Sequence, residues 1–179
     1  MTLTILGLGP GHPDDITRRA WQTLEMAKAV YLRTREHPCV PALPIASFTS
    51  FDDVYDSSAD FEHIYDTICE RLLAAAQTSD VVYAVPGDPM VAESTVQRLL
   101  ERGPERGVEV EIINGVSFIE PMLTALAIDA VDGLQIHDAL EIAAMHHPPI
   151  NPDRPALLAQ VYNRAVASDL KLTLMNQYP

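Results

Sequence analysis

Apolar positions along the chain alternate between two rhythms. Met1 to Gly9 is a short β-type run that stops at glycines. Ile16, Ala20, Leu24 and Ala27 then recur every three or four residues, one face of a helix whose first turn would carry Asp14 and Asp15. Ala29 to Leu32 reads as a second buried strand, and Pro38, Pro41 and Pro44 make residues 37–50 a loop with at most an edge strand. The span 58–77 predicts a helix with the stripe Phe61, Ile64, Tyr65, Ile68 and Leu72; Glu62, Asp66, Glu70 and Arg71 fall largely off it. Val81 to Val85 is apolar throughout, the pattern of a parallel strand covered on both faces. A helix begins among Val91, Ser94 and Thr95 and is expected to end at Gly103-Pro104. Val108 to Ile113 is a strand, Asn114-Gly115 a turn, and residues 118–128 helical.

Strand and helix thus alternate about four times across residues 1–128, which implies parallel strands joined by helical crossovers, an α/β fold. Ligands in such sheets bind beyond the carboxyl ends of the strands, where loops 7–11, 86–89 and 114–117 each place a glycine. Past Gly133 the texture changes. Leu134 to Ile136 suits a strand, four prolines make residues 145–155 a loop, Ala156 to Tyr162 reads as a strand and Val166 to Met175 as a helix. The expectation is an N-terminal α/β subdomain over 1–128 and the start of a second over 129–179.

Charge narrows the function. With Lys+Arg 12 against Asp+Glu 25, the net charge of −13 argues against nucleic acid, whose phosphates draw on clustered cations. It also weighs against a polyanionic small substrate. No apolar stretch approaches the roughly 20 residues that span a bilayer, so no membrane partner is expected. Two cysteines, Cys39 and Cys69, make no disulfide framework and point to the cytoplasm.

Gly7-Leu8-Gly9-Pro10-Gly11 follows a strand, yet it is a poor dinucleotide fingerprint. His12 stands where the third glycine belongs, Pro10 removes an amide, and Arg33 and Arg35 stand where an acidic residue is wanted. No Gly-Lys-Ser/Thr loop occurs. Pro86-Gly87-Asp88-Pro89 leaves a carboxylate at the tip of a buried strand, either as an ordinary turn closing on its own backbone or as a functional group. Arg33, Arg35 and His37 sit at the end of the second strand; they fit either an anionic substrate or a surface ion cluster with Glu36. His146 and His147, with His137, lack a spaced set of partners and read as solvent loop, so no metal is expected.

Together these motifs resemble one family. Residues 5–17 are similar to the G-x-G-P-G…T opening of the tetrapyrrole (corrin/porphyrin) methylases, Val85 to Pro89 to their glycine–aspartate–proline loop, and Gly115-Val116-Ser117 to their G-V-S segment. Tyr31 to Pro38, Ser50 to Tyr55 and Lys171 to Met175 resemble the branch fused to MazG-type nucleoside triphosphate pyrophosphohydrolases. The resemblance implies the class III S-adenosylmethionine methyltransferase fold, two α/β subdomains with a cofactor cleft between them. It implies S-adenosylmethionine as cofactor, S-adenosylhomocysteine as product, and contacts from Leu8, Gly9, Pro10, Gly11, Pro86, Gly87, Asp88, Met90, Val91, Val116, Ser117, Phe118, Gln160, Val161 and Tyr162. Asp88 would be the catalytic residue, and Arg33, Arg35 and His37 would bind a small-molecule acceptor. A homodimer, and a pyrophosphohydrolase domain or partner, are implied likewise. Members extend past the position matching Pro179, so the second subdomain is expected to be incomplete. A non-catalytic cofactor-binding module serving a pyrophosphohydrolase is the competing reading.

Overall fold

The apolar run at 81–85 lies at the centre of a five-stranded sheet, fully buried along its length. This is seen in a computed structural model, which describes residues 1–57 and 60–178. The strands are β1 (Thr2–Gly7), β2 (Val30–Leu32), β3 (Thr49–Ser50), β4 (Val81–Val85) and β5 (Glu109–Ile113), ordered β3-β2-β4-β1-β5 and parallel throughout. Alternate side chains serve opposite faces. Leu3, Ile5, Val81, Tyr83 and Val85 pack under α3 (Phe61–Ala76) and α4 (Ser94–Glu105); Leu6, Val30, Leu32, Val82 and Ala84 pack with Ala20 and Leu24 of α1 (Arg18–Met26). The helix after β1 and the helix after β4 therefore cover different faces. Adjacent strands whose connections leave to opposite sides open a crevice at their carboxyl ends.

Three local expectations are corrected. Asp14 and Asp15 lie in a separate 3₁₀ turn, Pro13–Asp15; α1 begins after Thr17, whose hydroxyl accepts from Ala20 N–H and fixes the start. On α3, capped by Asp60, Phe61 is 43% exposed and the buried face turns toward Cys69, Leu73 and Ala76 instead. The predicted residues 58 and 59 lie outside the described residues. Gly103-Pro104 does not end α4. A Cβ on Gly103 would stand 2.5 Å from Val110 Cγ2, so this glycine allows close packing of helix on strand, and the stop falls at Gly107, with φ +68°. The acidic run at 52–56 forms a short helix, α2 (Asp52–Ser57).

The chain divides into two compact units, Met1–Met122 and Leu123–Pro179, with α5 (Ile119–Leu126) running across the division. In the second unit β6 (Gln135–Asp138) pairs in parallel with β7 (Ala156–Ala159). Helices α6 (Ala139–Ala144) and α7 (Arg164–Gln177) pack together around Ala139, Ile142, Val166 and Leu170. Helix α6 was not predicted: six residues are too few to display a period, and only the Asp138 cap marks it. Strand β7 is shorter than predicted because Gln160 turns to φ +67°, outside β geometry. Among the described residues no helix is long and apolar enough to cross a membrane.

Candidate functional site

Three loops meet at the carboxyl ends of β1, β4 and β5, and they meet through glycine. A Cβ on Gly7 would stand 2.2 Å from the Gly87 carbonyl oxygen and 2.8 Å from Gly115 Cα. A Cβ on Gly115 would stand 2.3 Å from the same oxygen. No side chain fits at either position, so backbone lies directly on backbone. Gly9 and Gly87 exchange hydrogen bonds, with Gly87 N to Gly9 O at 2.8 Å and Gly9 N to Gly87 O at 3.2 Å. Both adopt positive φ, +75° and +67°, which favours glycine.

One carboxylate ties the cluster. Asp88 is 7% exposed. Its Oδ2 accepts from Gly115 N–H at 3.0 Å and from Asn114 Nδ2 at 3.2 Å, and its Oδ1 from Met90 N–H at 2.7 Å. The turn reading of Pro86–Pro89 thus holds in part, through Met90, but the same side chain also reaches across to β5. Thr17, besides capping α1, donates to the Asn114 carbonyl at 3.3 Å and brings α1 to the same junction. Ser117, 3% exposed, accepts from Ile119 N–H and donates to Glu120 Oε2 at 2.6 Å, opening α5. The Ser-x-x-Glu spacing of 117 and 120 signals such a start in sequence. Leu8 is buried, Pro10, Gly11, Pro86, Val91, Val116 and Phe118 are half-buried, and Met90 is exposed at the rim. The arrangement is a cradle of backbone carbonyls and amides edged by apolar side chains.

Gln160, Val161 and Tyr162 belong to the second unit. They follow β7 in a tight turn, with Tyr162 N–H bonded to Gln160 O, and lead to Asn163, the cap of α7. Val161 and Tyr162 are 44% and 56% exposed.

The three residues expected to meet substrate all have partners inside the first unit. Arg33 pairs with buried Glu93 through Nη1 and donates from Nε to Tyr55 OH at 3.0 Å. Burial lowers the Arg33 guanidinium, but Glu93 and the two tyrosines Tyr55 and Tyr83 outweigh it and hold the proton. At Glu93 burial dominates and lifts the carboxyl above its ordinary value, with Arg33 opposing. Among the described residues, the buried Glu93 Oε2 of this pair has no hydrogen-bond partner. Arg35 pairs with Asp52 at 3.0 Å. Burial would raise the Asp52 carboxyl, but donors from Thr34, Arg35 and Ser50 overcome it and hold it well below the usual range. His37 is buried against Cys39 rather than open to solvent. Glu93, Asn114 and Cys39 were not selected from sequence; none lies in a repeated spacing, and each acquires its role from a residue distant in the chain. Among the described residues no group of three or more His, Cys, Asp or Glu gathers as a metal site.

A profile of the family described as Tetrapyrrole (Corrin/Porphyrin) Methylases matches residues 2–176. The uncharacterized protein YabN of Bacillus subtilis (strain 168) is 38% identical over 184 residues, covering 99% of this chain and 36% of that protein. The diphthine methyl ester synthase of Dictyostelium discoideum is 28% identical over 119 residues, covering 66% of this chain and 43% of that protein. The crystal structure of uroporphyrin-III-C-methyltransferase from Thermus thermophilus superposes with a TM-score of 0.62 at 25% identity, over 82% of this chain and 64% of that one. The same Thermus enzyme complexed with S-adenosyl homocysteine gives 0.61 at 21% identity, over 97% and 72%. The chain thus spans well under half the length of the curated relatives it matches.

Proposed function

The chain belongs to the tetrapyrrole (corrin/porphyrin) methylase family, and from that premise we propose that it binds S-adenosylmethionine at its glycine cradle and transfers the methyl group to a small-molecule acceptor. One observation carries the reading: Gly7, Gly87 and Gly115 approach so closely that no side chain fits between them. A ligand there is met by backbone groups, which suits a nucleoside with a neutral base and a sulfonium better than a phosphate-rich cofactor. The acidic chain, with Arg33 and Arg35 already paired, favours the same choice.

The bound cofactor supplies an electrophilic methyl on sulfur, so the protein needs no nucleophile of its own. Its residues contribute proximity and alignment. In this reading Leu8 to Gly11, Pro86 to Val91 and Val116 to Phe118 hold the donor. Asp88 acts first as a positioning residue, because both its oxygens are engaged by loop donors. Asp88→Asn therefore weakens cofactor binding as well as turnover. The amide would set N–H against N–H at either end, facing Gly115 N and Asn114 Nδ2, or Met90 N.

The acceptor, the homodimer and the association with a MazG-type pyrophosphohydrolase are also proposals. Internal pairing of Arg33, Arg35, His37 and Asp88 favours a second reading, a cofactor-sensing module without turnover. Calorimetry with S-adenosylhomocysteine tests the shared premise: one site per chain is expected, and no heat on titration would sink both readings. Methyl transfer from labelled cofactor to a small-molecule extract then separates enzyme from sensor.

A further inference from the structure

The loop between β4 and α4 is fastened at both ends. At its start Asp88 bonds Gly115 and Asn114. At its end Glu93 turns its side chain inward, 3% exposed, onto the Arg33 guanidinium. Arg33 is itself fixed to the sheet. Its backbone N–H donates to the Ala84 carbonyl at 3.0 Å, its Nε donates to Tyr55 OH at 3.0 Å, and its guanidinium carbon stands 5.8 Å from the centroid of the Tyr55 ring. The chain that leaves the sheet at Val85 is thus drawn back to it at Glu93. Between the two fastenings lies a strained residue. Ala92 has φ +58°, in the left-handed region that a Cβ disfavours. The reversal there leaves Met90 and Ala92 exposed and turns Glu93 into the interior.

Glu93 is an uneconomical choice if it only fills space. It occupies the cap position of α4, where Ser, Thr, Asp or Asn would bond the first helical amides, yet its side chain makes no capping bond. Its partner instead lies 60 positions away in the chain. A buried ion pair is seldom worth more to stability than two apolar side chains of the same volume, because both charges lose their water. Among the described residues its Oε2 has no partner, which adds to the cost. What the pair does supply is direction, because a guanidinium fork and a carboxylate meet in few geometries.

We propose that Glu93, gripped by Arg33, is a positioning residue that holds Ala92 in its left-handed turn and so sets the course of Asp88 to Val91 in the cradle. This deepens the cofactor reading and rests on it only for the identity of the ligand. The route is short. Val91 N–H donates to the Asp88 carbonyl at 3.1 Å and Met90 N–H to Asp88 Oδ1 at 2.7 Å, so a turn released at Ala92 reaches the carboxylate that ties the loops. Arg33 thereby has a role other than holding a substrate anion.

The experiment reads variants of the intact chain in two ways. Nuclear magnetic resonance without ligand gives the Cα and Cβ shifts of Ala92 and the amide shifts of Met90 and Val91, which follow local φ and ψ. Calorimetry gives S-adenosylhomocysteine affinity, set beside the melting temperature. Arg33→Met with Glu93→Leu replaces the pair by apolar side chains and should melt within a few degrees of the parent. It should nevertheless move the Ala92 shifts out of the left-handed range and weaken binding roughly tenfold, the loss expected of one charged hydrogen bond. Glu93→Ser removes the grip on Arg33 but supplies the missing helix cap, and the same shift and loss are expected of it. Glu93→Gln keeps an oxygen for Arg33; it should retain the turn and bind within about threefold of the parent. Ala92 shifts unchanged in both Glu93→Ser and the apolar pair overturn the proposal, as does parental affinity in the two. If S-adenosylhomocysteine fails to bind the parent while the Ala92 shifts still depend on Glu93, the positioning role stands and the cofactor reading falls.

Discussion

The two units of the chain bury their apolar surface in different ways. The first covers both faces of a five-stranded parallel sheet, with, among the described residues, sixteen buried in one cluster and twelve in the other. The second pairs two parallel strands and two helices around four buried residues. Its Val131, Ile136, Leu172 and Met175 are 84%, 48%, 58% and 60% exposed. Parallel strands are ordinarily covered on both faces, and two strands alone are marginal. The comparison teaches that the first unit has the rigidity to hold loops against one another to within a Cβ's width.

The sharpest way to break this contrast is at the glycine contact. Gly7→Ala or Gly115→Ala forces a methyl against the Gly87 carbonyl, and should cost about 3 kcal/mol or more in thermal or denaturant unfolding. A melting temperature unchanged from the parent would mean that the three loops do not touch in solution.

Core truncation in each unit sharpens it next. Leu72→Ala, in the larger cluster, should cost about 2–5 kcal/mol and lower the global transition. Leu170→Ala should instead speed amide exchange in α6 and α7 and leave β1 and β4 protected. Parallel loss of protection in both units would contradict their separate stabilities. Asp88→Asn should follow, destabilising by about 1–3 kcal/mol for a buried site whose donors lose their acceptor.

The His37 effect is smaller and depends on pH. Its pKa is lowered in the folded chain, so the unfolded chain takes up the proton first. The stability it contributes is present above the unfolded value of 6.5 and is lost as pH falls through the lower folded value. The stability of the parent relative to His37→Asn should shrink over that window in paired melts. The smallest change is expected on the exposed ladder between α3 and α4. Arg106 pairs there with Glu70 at 2.9 Å, about half exposed on both sides, and Glu70→Gln should cost no more than about 0.5 kcal/mol.

Much of the first unit was legible before folding. The runs at 2–7, 30–32, 81–85 and 109–113 announce strands because each must bury apolar side chains, and parallel pairing follows from the helices between them. The glycine loops were legible as strand ends. Their mutual contact was not, because a glycine records only that a side chain is excluded and never what excludes it. Asp88 shows the same limit: its turn partner Met90 is two residues away, whereas Asn114 and Gly115 are more than twenty positions distant. Arg33, Arg35 and His37 read in sequence as either an anionic-substrate site or a surface ion cluster with Glu36, whereas folding pairs Arg33 with Glu93 and Arg35 with Asp52 and sets His37 against Cys39.

Local order along the chain determined the alternation of strand and helix, the family resemblance and the end of the sheet at which a ligand would be met. These depend on side-chain period and on short motifs. Only the tertiary structure decided which charges are neutralised and which carboxylate holds two loops together. Those depend on distances between residues far apart in the chain, and on a burial that makes each unmet hydrogen bond costly enough to select its partner.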